Sequence, residues 1–278
     1  MRVMLWDVRV GGKHRPPLIE RADADVLLLL GVSRKSGRSW TERWAGRYHC
    51  ATGLELTTSL QKRPHGAMIA SRWPLSDVHV VDGLPRPERG LVATTAHPDG
   101  PIKLASWGAP DAAGSTRPVK MTAYQLMHDY LTALDYPLIM GVDTNSWADP
   151  PTSSSPGERP EAWAEEDAFL ERDARHALTD VHRQLIDADP HRSRLLADLR
   201  PHGPLAVTFI RRPHGKPRGV AHEFTDGTRY GLDRMDRLFI SPAFRALACE
   251  HLYHEARAAG GDHAAVIADL ELTATASG

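Results

Sequence analysis

Short, nearly uninterrupted apolar runs recur along the chain. Eight of them read as strands: Val3–Leu5, Val26–Leu30, Ala67–Ala70, Leu91–Thr95, Ile102–Ser106, Leu138–Gly141, Leu238–Ser241 and Ala265–Leu270. Side chains alternate across a strand, so runs that are apolar at consecutive positions belong to sheets covered on both faces. The period changes before the Leu138 run, where Tyr124, Leu126, Met127, Tyr130, Leu131 and Leu134 follow a helical spacing. A second helix is expected from Glu161 to Asp173, where Ala162, Ala164, Ala168, Phe169 and Leu170 supply good helix formers. Strands should therefore dominate both ends, with helices clustered in the middle. Neither a fixed repeat nor a break in composition divides residues 1–278, which are expected to form a single domain.

The 41% hydrophobic and 25% charged residues among 278 exclude a disordered chain and describe an ordinary globular one. With 34 Lys+Arg against 35 Asp+Glu, the formal charge of -1 provides no global field for polyanions. Any nucleic-acid contact must rest on a local patch, and a duplex-tracking surface is disfavoured. The densest basic segment, Arg211 to Arg218, reads either as a solvated hairpin tip or as a phosphate contact through Arg211 and Arg212. Cys50 and Cys249 have no metal-site spacing and are expected to be reduced. No signal-peptide pattern follows Met1, and the Val26–Leu30 run is too short to span a bilayer. A cytoplasmic monomer with no membrane contact is the expectation.

The most informative stretch is Leu138 to Ser146, in which an apolar run delivers Asp143 and Asn145 two residues apart. Continued strand alternation would aim both at one ligand; an Asx turn would use both locally. Three other segments carry comparable chemistry. Gly66 to Trp73 is a strand ending in Ser71-Arg72, Arg234-Met235-Asp236 opens a strand, and Asp262-His263 immediately precedes the last strand.

In this order and spacing the chain resembles the endonuclease/exonuclease/phosphatase superfamily. Trp6-Asp7 is similar to the family's first-strand Trp-Asn, and the run ending Leu30-Gly31 to its strand ending in Gln-Glu. Gly141 to Asn145 is similar to Gly-Asp-x-Asn. Thr208-Phe209, Arg234-Met235-Asp236 and Asp262-His263 resemble the Thr-Phe/Trp, Arg-Ile-Asp and Ser-Asp-His signatures. The resemblance covers nearly the whole chain. It implies an α/β fold, the DNase I-like four-layer sandwich of two mixed sheets packed face to face with helices outside. It also implies phosphoester hydrolysis assisted by Mg or Mn, in which charge developing on phosphorus is neutralised by the metal and cationic donors.

By this resemblance Asp143 orients or deprotonates the attacking water and Asn145 hydrogen-bonds a phosphate oxygen. His263 donates to the non-bridging oxygen or leaving group, Asp236 fixes its imidazole, and Asp262 ligates metal. The expected partner is a phosphate-containing substrate: a small phosphodiester, a nucleotide or a short nucleic acid. The departures fall on the metal. Asp7 replaces the family's Asn, and Gly31 its metal-binding Glu, which conserves one formal negative charge and places the expected metal between Asp7 and Asp262. Trp107 stands near the family's His or Tyr, where it either stacks on a planar ligand or packs in the core. The alternative is a catalytically inactive family member that binds phosphate ligands or partners.

Overall fold

The computed structural model describes residues 1–9, 15–58, 62, 64–111, 117–134, 137–146, 164–171, 174–199, 206–211 and 231–273. One six-stranded sheet contains β1 (Arg2–Asp7), β2 (Val26–Ser33), β3 (His49–Thr52), β4 (His65–Ser71), β13 (Phe244–Leu252) and β14 (Ala265–Leu272). A second contains β5 (Leu75–Val80), β6 (Gly90–His97), β7 (Gly100–Gly108), β8 (Leu138–Asp143), β9 (Thr179–Asp180) and β12 (Asp236–Ile240). Their orders are β13-β14-β1-β2-β4-β3 and β5-β6-β7-β8-β12-β9. Each is mixed: β1 pairs in parallel with β2, and β7 with β8, among antiparallel neighbours. A separate ribbon joins β10 (Phe209–Arg211) to β11 (Gly231–Asp233).

Strand alternation explains the continuous apolar runs. Val3 and Leu5 enter the layer between the sheets with Leu28, Leu104, Ile139 and Leu238. Met4 and Trp6, on the opposite face of β1, pack with Leu18, Ile19, Trp40 and Ala256 from α1 (Arg15–Ala22), α2 (Arg34–Arg43) and α8 (Tyr253–Ala258). Across the molecule, Val92, Ala105, Trp107 and Met140 pack with Tyr124, Met127 and Phe169 from α4 (Arg117–Thr132) and α5 (Ala164–Leu170). The order helix, sheet, sheet, helix is the four-layer α/β sandwich expected from the sequence. Short α3 (Gly53–Leu56), α6 (Val181–Ala188) and α7 (Pro190–Leu199) complete the described helices.

One expectation needs correction. Helices are not confined to the middle, because α1 and α2 lie near the start and α8 precedes the last strand. The helix expected over 161–173 is α5, Ala164–Leu170; residues 161–163 and 172–173 lie outside the described residues. In α4 the buried positions Lys120, Ala123, Tyr124, Met127, His128 and Leu131 follow the spacing of one helical face. Among the described residues, no helix is long and apolar enough to cross a membrane.

Candidate active site

The site is assembled where β1 and β2 of one sheet end beside β8 and β12 of the other. Close approach is set at Gly141, where a Cβ would lie 2.8 Å from Leu5 Cδ1 and 3.0 Å from Leu28 Cβ. Two residues later Asp143 ends β8, fully buried opposite Asp236 of β12. The chain then turns, and Asn145 takes a positive φ of 47°. Its backbone N–H donates to Asp143 Oδ1 at 3.0 Å. Its carboxamide donates to Asp143 Oδ2 at 2.9 Å and to the Ala109 carbonyl at 2.9 Å. The Asx turn and the shared site are therefore one structure, and α4 fixes it. Lys120 Nζ donates to the Asn145 carbonyl at 2.9 Å, and the Tyr124 hydroxyl to the Thr144 carbonyl at 2.7 Å.

Asp236 and His263 form the second half. The Thr208 hydroxyl accepts from the backbone N–H groups of Met235 (2.9 Å) and Asp236 (3.0 Å), so the Thr of the Thr-Phe signature holds the start of β12. Phe209 packs its ring 4.9 Å from the imidazole of His263, and Trp6 Nε1 donates to the His263 carbonyl at 3.0 Å. Thus held, His263 Nδ1 lies 2.8 Å from Asp236 Oδ2, with both residues fully buried. His263 Nε2 is buried without a hydrogen-bond partner among the described residues. Burial opposes the imidazolium, but Asp236, Asp7 and Asp143 outweigh it and raise His263 to about 10. Burial likewise raises the Asp236 carboxyl to about 6 against the pull of His263.

The third group comes from β1 and β2. Gly31 has φ +66° and lies where the pairing of β2 with β4 slips, a bulge for which a residue without Cβ is suited. A Cβ there would sit 2.4 Å from Asp7 Oδ1 and 2.8 Å from the Arg9 backbone nitrogen. The Asp7 carboxylate thus fills the space beside Gly31. Its Oδ1 accepts from the Arg9 N–H at 2.8 Å and its Oδ2 from Arg9 Nε at 3.3 Å. The same guanidinium reaches Asp143 Oδ2 at 3.4 Å and Asn145 Oδ1 at 3.3 Å through Nη2. Burial would raise the Asp7 carboxyl, but His263, Arg9 and Arg89 outweigh it and hold it below its ordinary value. Gly31→Ala should cost about 2–4 kcal/mol of stability, combining left-handed strain with the clash. Urea unfolding at wild-type midpoint and slope would refute this account of Gly31.

Asp7, Asp143, Asn145, Asp236 and His263 are thus brought together as the sequence suggested. Asp7, Asp143 and His263 each offer a donor atom within 4.8 Å of the other two, one of two such groupings among the described residues, the other being His182, Cys249 and His251. Asp262 is in neither grouping; it is half-buried and acts electrostatically on Arg9 and Arg15. Trp107 is not at a pocket mouth. It is 1% exposed, with its ring 5.0 Å from Tyr124 and 5.4 Å from Phe169, because strand alternation turns it under α4 and α5. The Arg211 side chain and Arg212 lie outside the described residues, as does the loop Asp149 to Pro160. Sequence reasoning missed Arg9, Arg89 and Lys120. An Asp-x-Arg spacing at the end of β1 was the available signal for Arg9.

The Endonuclease/Exonuclease/phosphatase family model matches residues 16–263. The chain belongs to this family. No curated protein matches it at a significant level. Among solved structures, it is similar to an AP endonuclease from Archaeoglobus fulgidus, with a TM-score of 0.69 and 16% identity over 98% of this chain and 100% of that one. The 3' phosphatase NExo from Neisseria, bound to product DNA hairpin, gives 0.64 and 19% over 98% and 99%. An endonuclease/exonuclease/phosphatase from Beutenbergia cavernae DSM 12333 gives 0.63 and 19% over 98% and 72%. At these identities the likeness establishes the DNase I-like fold, and the chemistry of this Endonuclease/Exonuclease/phosphatase family member has to be argued from its own residues.

Proposed function

We propose that this chain hydrolyses phosphodiesters by direct attack of water on phosphorus. The observation that carries the reading is the buried Asp236–His263 pair, which leaves His263 Nε2 over as a donor beside Asp7 and Asp143. Asp143 takes a proton from the attacking water. As the water oxygen bonds to phosphorus and the ester P–O bond breaks, His263 gives its proton to the leaving oxygen. The products are a phosphomonoester and an alcohol, and exchange with solvent returns the proton from Asp143 to His263. Asn145 acts as a positioning residue, since both hydrogens of its carboxamide already go to Ala109 and Asp143. The product DNA hairpin held by the Neisseria 3' phosphatase supports a nucleic acid as one class of ligand, while the choice of a diester over a monoester is argued from this chain's own residues.

The test is turnover of bis(p-nitrophenyl) phosphate and of a short fluorescent single strand by the wild-type protein and by Asp143→Asn. The expected result is measurable cleavage by the former and a loss of roughly 100-fold or more in the latter, the range for removing a positioned base. Equal turnover by both proteins would exclude Asp143 from the chemistry. Absence of turnover under all conditions, together with binding of the single strand, would replace hydrolysis by a binding role.

A further inference from the structure

The geometry points to Arg9 as a built-in cation that takes the place of a divalent metal, making this a metal-independent site suited to singly charged phosphodiesters. The inference rests on the phosphodiesterase reading for its substrate class, but its central claim concerns which cation sits between Asp7 and Asp143.

A divalent ion does not fit the side chains as they stand. Mg²⁺ and Mn²⁺ take oxygen donors in a demanding octahedral shell, so the carboxylates must have lone pairs free to converge on the ion. Both oxygens of Asp7 accept from Arg9, one from its backbone and one from its guanidinium. Asp143 Oδ2 accepts from the same guanidinium and from Asn145, which uses both its lone pairs, while Oδ1 accepts from the Asn145 N–H and keeps one lone pair, the one that serves as base. One of the two nitrogens of His263 is bound to Asp236. Nor can β2 supply the carboxylate that the fold would otherwise offer, since a side chain at Gly31 would collide with Asp7 Oδ1 and the Arg9 backbone. The exchange is therefore concerted in space. Removing the side chain at Gly31 makes room for the Asp7 carboxylate, and that carboxylate anchors Arg9.

Charge leads to the same conclusion. Arg9 and Arg89 act electrostatically on both Asp7 and Asp143, and His263 balances Asp236. Asp7, Asp143 and Asp236 are thus matched one for one by Arg9, Arg89 and His263, and a dication beside them would add two positive charges to a set already balanced. The bonds from the Arg9 side chain are long, 3.3–3.4 Å, and its side chain is 38% exposed. Its Nη1 carries two further N–H groups, which make no hydrogen bond to the described residues. A planar guanidinium held in this way can turn a fork of donors toward two phosphate oxygens. A phosphodiester brings one negative charge, which Arg9 can meet. A phosphomonoester brings nearly two at neutral pH and lacks the dication that would neutralise the second.

The test uses protein treated with EDTA, wild type and Arg9→Ala, assayed on bis(p-nitrophenyl) phosphate and on p-nitrophenyl phosphate. Mn²⁺ binding is read separately by electron paramagnetic resonance of the free ion. Diester turnover by the wild type should be unchanged within twofold by EDTA and should exceed monoester turnover. Arg9→Ala should lose roughly 100-fold, the scale for removing one charged transition-state donor. In that variant Mn²⁺ should bind and restore part of the rate. A fall of tenfold or more in EDTA, reversed by Mn²⁺, would overturn the inference while leaving the phosphodiesterase reading intact, and faster monoester turnover would overturn the substrate class. If neither ester is hydrolysed with or without metal, the functional reading fails and the cation is judged on binding alone. Mn²⁺ bound by the wild type then overturns it, and absence of binding upholds it.

Discussion

His263→Ala should fold and lose roughly 100- to 10,000-fold in kcat/KM on a phosphodiester, the range for removing a positioned acid. The fold should survive because of what the substitution leaves behind. An ionised Asp236 buried without His263 would be costly, but burial already lifts its carboxyl to about 6 in the presence of the imidazole. Without that cation the carboxyl moves higher still and is neutral at pH 7, so no uncompensated charge is buried. A chevron or urea titration checks the fold, and initial rates check the activity. Activity within fivefold of wild type in a folded protein would remove His263 from the mechanism.

The pH dependence separates proton donation from mere packing. His263 is raised to about 10, chiefly by Asp236 once the opposing cost of burial has been met. The active form is the protonated one, so activity is present below that value and is lost as pH rises through it. Asp236→Asn keeps the shape of the site and removes the carboxylate charge. Burial then acts on the imidazole with less opposition, and the alkaline limb should move to lower pH. An unshifted alkaline limb would assign it to another group.

The sequence made the acidic half of the site legible because those residues stand at strand ends with characteristic neighbours. Asp143 follows a run whose Gly141 has to be small for the two sheets to meet, and Asp236 begins a strand held by Thr208. Arg9 was not legible in the same way. It is one of 34 Lys and Arg residues, lies just past a strand, and gains its meaning from Asp7, Asp143 and Asn145, the last two remote in sequence. Gly31 is legible in the sequence as an absent ligand side chain, but its positive φ and the Asp7 carboxylate that occupies the space of a Cβ are visible only in the structure. Trp107 is ambiguous in the sequence because the helices that cover it, α4 and α5, meet β7 only in the tertiary structure.

The same distinction applies to the fold. Strands buried on both faces declared themselves as apolar runs. The edge strand β13 did not, since Arg245, Glu250 and His251 interrupt it and its pairing slips between Ala246 and Ala248. Helix α2 is mostly polar and buries only Gly37 and Trp40, too narrow a stripe for periodicity to reveal.

The largest stability effect should come from Asp180, a residue that no motif singled out. Its Oδ1 caps α6 by accepting from the N–H groups of His182 at 3.0 Å and Arg183 at 3.3 Å. The same carboxylate takes Arg234 Nη1 at 2.9 Å and Nη2 at 2.7 Å, and it lies 3.5 Å from Arg237 Nη1. All three side chains are at most 1% exposed. Truncating Asp180 to Ala deprives two buried guanidiniums of this carboxylate, an effect of about 3–5 kcal/mol, and removes a helix cap of about 1 kcal/mol. Asp180→Asn retains an oxygen for the cap but not the charge, and should fall between Ala and wild type. Because Arg234 leads directly into Met235-Asp236, loosening it should also disturb the Asp236–His263 pair. Asp180→Ala is therefore expected to lose activity at temperatures where Asp180→Asn keeps part of it. Urea unfolding of Asp180→Ala within about 1 kcal/mol of wild type would show that the arginines are held without it, and that the cap is the only contribution Asp180 makes.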